Sequence, residues 1–214
     1  MRGEHAPASI SKMTIMKIKH MIAVSLLLLT GIRTANAVEW QMKQGPMMTP
    51  WSETLDPENV LGEYPRPQME RQEWMNLNGI WDLRKAIQDE AYSPDFIYDK
   101  KILVPFPLES AISGVMEESD NQCYWYRRTL TIPESMKGKN ILLHFDAVDW
   151  EAIVYVNGKK VGKHTGGYDP FYFDITSALK QDGEQELAVY VRDNTGAEGQ
   201  PKGKQALNKW GCWY

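Results

Sequence analysis

From Leu77 to Arg192 apolar residues recur at alternate positions in short runs, each closed by a turn signal. A period of two puts successive side chains on opposite faces of a strand. Leu77–Leu83 reads as a turn entering a strand, and Lys101–Pro105 as a second strand stopped by Pro105-Phe106-Pro107. Tyr124–Ile132 alternates, with Tyr124, Tyr126, Arg128 and Leu130 on one parity and Trp125, Arg127 and Thr129 on the other. Asn140–Val148 is the next predicted strand. Ala152–Val156 is rich in β-branched and aromatic residues and suits a buried one. Asn157-Gly158 tolerates the positive φ angles of a two-residue type I′ turn, so Lys159–His164 should run back alongside. Phe171–Asp174 is a short strand, Ile175–Leu179 one helical turn, and Glu186–Arg192 a last alternating strand.

Between the hairpin and Phe171 lies Gly166-Gly167-Tyr168-Asp169-Pro170. Two glycines give backbone freedom, and Pro170 keeps Asp169 out of the helical region. The turn therefore presents an aromatic plane beside a carboxylate. That pairing suits a sugar ring, whose faces are apolar and whose rim is hydroxyls. Such a turn serves equally well as scaffolding.

No segment has the period of a long amphipathic helix, and no repeat of roughly 20–50 residues is present. Short antiparallel strands with turn signals predict an all-β, two-sheet sandwich. An immunoglobulin-type sandwich is the rival, but its Cys…Trp…Cys core is not laid out here. A jelly-roll β-sandwich fits the longer, irregular connections better.

The first residues belong to a different class of sequence. Lys17 and Lys19 precede the apolar run Ile22–Leu29, and Ala35-Asn36-Ala37 has the small-x-small form of a cleavage site. Residues 1–37 are expected to be a secretory signal peptide with an N-terminal extension, so the chain would be exported, periplasmic or extracellular. The run is too short for a stable membrane span, and no membrane partner is expected after cleavage. Residues 38–66 carry Pro46, Pro50, Pro57 and Pro65 and should form an extended arm rather than a helix, whose Trp40, Trp51 and Tyr64 suggest that it packs onto another surface. Residues 67–214 would be the domain itself.

Charge and cysteine narrow the functional classes. The formal charge of −4 leaves no footprint for nucleic acid. Two cysteines, Cys123 and Cys212, are too few for a disulfide scaffold, and whether they pair is open. No G-x-S-x-G elbow is present, so a serine hydrolase has no nucleophile. His144 and His164 lack ligand spacing, which argues against a metal; His144 reads as a strand residue with a satisfied ring. Gly196–Gln205 superficially resembles a phosphate loop but has the wrong glycine spacing and no Ser or Thr after Lys204. It reads as a solvated loop. Glu117-Glu118 and Asp89-Glu90 read as solvated loop carboxylates. Asp149 and Glu151 flank Trp150 at a strand entrance, yet an edge carboxylate bonding a turn amide is the expected fate. No catalytic residue is assigned, and no cofactor is expected.

Several segments together resemble one family: RPQMERQEWMNLNGIWDL (66–83), ILVPFPLESAISG (102–114), YWYRRTLTIP (124–133), Phe145–Thr176 and Gly199–Gln205. They are similar to the N-terminal sugar-binding domain of glycoside hydrolase family 2, which includes β-galactosidases, β-glucuronidases and β-mannosidases. The resemblance implies a galactose-binding-domain-like jelly roll, followed in the family by an immunoglobulin-like domain and a (β/α)8 barrel that bears two catalytic glutamates. Nothing in this chain resembles that barrel, so the resemblance implies an inactive N-terminal piece lacking its final strand. Its partners would be an oligosaccharide or glycoside substrate and the immunoglobulin-like and barrel domains. Trp210, Trp213 and Tyr214 are the first candidates to line the sugar pocket, and Tyr168 and Asp169 the second. Core or interdomain packing is the competing role for Trp213 and Tyr214. His164–Phe171 looks closer to a β-glucuronidase turn than to a β-galactosidase one, where an aspartate falls at Gly166. A stand-alone carbohydrate-binding module and a non-catalytic interaction domain are the alternative readings.

Overall fold

The computed structural model describes residues 38–46, 48–118, 122–194 and 200–201, all within the compact unit Val38–Tyr214. Its strands, in chain order, are β1 (Gly79–Lys85), β2 (Lys100–Val104), β3 (Cys123–Leu130), β4 (Leu142–Phe145), β5 (Glu151–Val156), β6 (Lys159–Thr165), β7 (Phe171–Asp174) and β8 (Gln185–Arg192). A six-stranded sheet has the order β2-β1-β3-β8-β5-β6, and β4 pairs with β7 in a second sheet. Every pairing is antiparallel. The alternating runs thus became strands where expected, except that β4 is shorter than Asn140–Val148.

The period of two sets what is buried. Trp81, Leu83, Tyr124, Val154, Leu187 and Val189 leave the six-stranded sheet on one face and meet Leu143 from β4, with Phe171 and Phe173 of β7 packed against them. Each such fully buried side chain contributes about 1.5–3 kcal/mol. Gly162 is part of this fit: a Cβ there would lie 2.1 Å from the Phe173 ring. At the hairpin, Asn157 (φ 50°) and Gly158 (φ 78°) adopt the positive φ angles expected of the turn. The Asn157 side chain also donates to Ala178 O (3.0 Å) and to Gln185 Oε1 (2.7 Å), tying the hairpin tip to the start of β8.

The opposite parity is buried too. Trp125 and Tyr190 point to the other face of the sheet, where the connection from β1 to β2 folds over them with Tyr92, Phe96 and Tyr98. Tyr92 stacks on Tyr155 (5.1 Å between centroids, 19°) and donates to Glu186 (2.5 Å). Glu90 is not a solvated loop residue. It accepts from Trp125 Nε1 (2.9 Å) and from both Arg84 terminal nitrogens (2.8 and 3.2 Å), because a buried indole N–H needs a partner. Glu117 likewise bridges Lys85 and Lys100, and the two lysines hold its carboxyl below the usual range.

The arm departs from expectation in two ways. Pro50–Glu53 makes one helical turn, since proline at the first helical position loses no hydrogen bond. Trp51 is 79% exposed instead of packing; Val60 is the buried anchor, and Trp40 docks by donating its indole N–H to Ser113 O (2.7 Å).

Candidate functional site

The turn from Gly166 to Pro170 joins β6 of the large sheet to β7 of the small one. The Gly166 amide donates to Trp150 O (2.8 Å), and the Trp150 amide donates to Arg192 O (3.2 Å). These bonds gather the turn, the entrance of β5 and the exit of β8 at one end of the molecule. Gly166 has φ +130°, a conformation open essentially to glycine. At Gly167 a Cβ would sit 2.5 Å from Asp149 Oδ1, so a side chain there would have to displace the Asp149 carboxylate. The peptide between Asp149 and Trp150 is cis. The outcome is a turn pinned at its base whose tip stands free: Tyr168 is 70% exposed and Asp169 is exposed beside it. Below the tip, His164 stacks on Phe171 (4.1 Å, 14°) and Phe171 on Phe145 (4.8 Å, 13°). The His164 Nε2 atom is buried in that column with no hydrogen-bond partner.

The carboxylates flanking Trp150 have separate fates. Glu151 is buried and ion-paired to Lys163 (2.6 Å), so it is a structural charge bonded to a lysine rather than to a turn amide. Packing around Asp149, then the nearby Asp193 carboxylate, raises its pKa above the usual aspartate range. Asp193 in turn accepts from the Gln200 side chain, and its amide donates to Gln122 O (2.9 Å). Among the described residues no group of His, Cys, Asp and Glu could hold a metal ion.

A concavity of about 260 Å³ beside β1–β3 is a poorer candidate. Most of its charge is already engaged: Asp82 pairs with Lys101 (2.5 Å) and Arg127 (2.8 Å), Arg128 donates to Leu77 O and Asn78 O, and no aromatic side chain lines it. It has charges but no plane for a sugar face.

Of the candidate sugar-contacting residues, Tyr168 and Asp169 share the exposed turn. Trp210, Trp213 and Tyr214 lie outside the described residues, as do Cys212 and, apart from Gln200 and Pro201, the loop Gly196–Gln205. Cys123 is buried, and its Sγ accepts from the Tyr190 hydroxyl (3.2 Å). Asp193 and Gln200 were not anticipated at this end of the molecule. Only the return of β8 beside β5 brings them near Asp149, and no local spacing signals it.

Residues 97–212, more than half of the chain, match the sequence model of the family described as glycosyl hydrolase 2 galactose-binding domain-like. A β-galactosidase of Thermoanaerobacter pseudethanolicus is 35% identical over 133 residues, covering 60% of this chain and 18% of that protein. A β-glucuronidase of Formosa agariphila is 37% identical over 86 residues, covering 39% of this chain and 9% of that protein. Among solved structures, a β-glucuronidase of Bacteroides uniformis is similar with a TM-score of 0.50 at 31% identity, covering 62% of this chain and 16% of that one. The chain thus spans less than a fifth of the length of each of these relatives. With its antiparallel sheets and this match over most of its strands, the chain belongs to the glycosyl hydrolase 2 galactose-binding domain-like family.

Proposed function

We propose that the chain is the N-terminal jelly-roll domain of an exported family 2 β-glycosidase that hydrolyses O-glycosyl bonds. In this reading it helps position the substrate and packs against a catalytic barrel supplied by other residues. The family match over residues 97–212 carries the proposal. The exposed Tyr168 ring offers a stacking face, and Asp169 accepts from sugar hydroxyls. Retaining hydrolysis needs two carboxyl groups about 5–5.5 Å apart. The two carboxyl groups that flank Trp150 do not form such a pair, since Glu151 is committed to Lys163. In this reading cleavage is the work of the catalytic barrel.

The test is to express the coding frame continued past Tyr214 and assay aryl β-D-glucuronide and β-D-galactoside. Turnover by the longer protein and none by the 214-residue chain is the expected result. Within the longer protein, Tyr168→Ala and Asp169→Ala should raise KM. Turnover by the 214-residue chain itself would overturn the reading. A stand-alone carbohydrate-binding module is the second reading, favoured by the exposure of Tyr168. Calorimetric binding of simple glycosides by the chain, with a frame that ends at Tyr214, would select it.

A further inference from the structure

The Nε2 atom of His164 lacks the partner that its chemistry requires. Each nitrogen of a neutral imidazole is either a donor or an acceptor, so Nε2 calls for a hydrogen bond in both tautomers. It is buried and has none. Buried polar atoms left in this state are costly, and native folds rarely keep them. The ring itself is held in place. Phe171 lies flat against it, and the backbone of β6 at this residue is paired with Ala152 of β5. The partner therefore has to come to the ring.

An unengaged acceptor stands close by. Asp169 is exposed and makes no hydrogen bond or ion pair among the described residues. Its Oδ2 atom and His164 Nε2 flank one point, the place where a Cβ of residue 166 would be, at 3.7 and 3.5 Å. Because residue 166 is glycine, no side chain occupies that point. Gly166 and Gly167 also supply the backbone freedom for the tip to move. The other carboxylates at this end are placed differently. Asp149 lies against Gly167, Asp193 accepts from Gln200, and Glu151 is held by Lys163.

We propose that the Tyr168–Asp169 tip is a strap that closes on His164, the Asp169 carboxylate swinging in over Gly166 to accept from Nε2–H. A change of side-chain rotamer, with the glycines as hinges, makes the contact. An ionised carboxylate only accepts, so closure fixes the imidazole in the tautomer protonated at Nε2. The bond is charge-assisted and stronger than one to a neutral acceptor. Closure also holds Tyr168 in one position, and the second carboxylate oxygen stays free for another donor. The strap concerns the turn alone and holds whether or not a sugar meets Tyr168.

The test is NMR of the full, 15N-labelled chain near neutral pH, reading the imidazole nitrogens and the backbone order parameters of the tip. His164 is expected as the Nε2–H tautomer, with that proton visible. Asp169→Ala should remove the proton signal, while Asp149→Asn should leave it in place. Order parameters at Tyr168 and Asp169 should be those of a rigid backbone, about 0.85, and fall below about 0.6 at Tyr168 in both Asp169→Ala and His164→Phe. The phenylalanine keeps the stack on Phe171 but has no N–H. Should that variant fail to fold, Asp169→Ala decides alone, since the position is exposed. A proton signal unchanged in Asp169→Ala overturns the proposal, because water or another group would then be the partner. So does its loss in Asp149→Asn, a ring protonated at Nδ1 in the parent, or a tip as mobile in the parent as in the variants.

Discussion

At Gly167 the cost of one methyl group can be read from a distance. Alanine there would press its Cβ to 2.5 Å from Asp149 Oδ1 and 3.1 Å from Asp149 Cβ, while the Gly166 amide ties the turn to Trp150 O, so the Asp149 side chain has to give way. Gly167→Ala should destabilise the fold by about 1–3 kcal/mol in chemical denaturation, and adding Asp149→Ala should recover about 0.5 kcal/mol or more of it. Asp149 carries a second prediction, on pH. Its folded pKa is raised, so its contribution to stability is complete below the ordinary aspartate range and fades as pH rises through the raised value. Asp149→Asn should flatten that decline in melts taken from acid to neutral pH. An unchanged slope would show that neither burial nor the Asp193 carboxylate holds that pKa up. The need for two glycines was legible in the sequence as a flexible turn. That Gly167 answers to a carboxylate eighteen positions earlier was not, because only the pairing of β5 with β6 brings them together.

Among the elements, the connection between β1 and β2 contributes more than its lack of periodicity suggests. It lays Tyr92 and Phe96 over Trp125 (5.9 and 5.4 Å between centroids), while Glu90 takes the indole proton. Trp125→Ala should therefore cost about 3–5 kcal/mol, measured as a fall in the denaturation midpoint, since it empties a fully buried site. Glu90→Ala should also destabilise, by about 1–3 kcal/mol, through the orphaned N–H. The strands were legible because alternation is local and strong. This cover was not: Tyr92, Phe96 and Tyr98 sit at no regular spacing, and the alternation of β3 does not reveal that both of its faces are buried. Residue type alone also misled at Trp51, where a large aromatic lies in solvent while Val60 fills the core.

For the molecule as a whole, the resemblance of scattered segments was the readable part, and the family match agrees with it. The candidate site was half readable. Tyr168 and Asp169 emerge at a free tip, as a glycine-rich turn would suggest, whereas the meeting of Asp149 with Asp193 depends on where β8 ends. If the proposed role holds, Tyr168→Ala in the longer protein should raise KM with little change in kcat, because stacking binds substrate and transition state alike. An equal loss of kcat would place the ring at the reacting centre instead.

Among the described residues the large sheet ends in β2 on one side and β6 on the other, and both margins are studded with ammonium groups: Lys100 and Lys101 on the first, Lys159, Lys160 and Lys163 on the second. Cationic rims of this kind discourage a foreign strand from zipping onto exposed backbone. A neighbour therefore finds loops and broad surfaces easier to grip than a strand edge, and neutralising those lysines is the change expected to promote self-association.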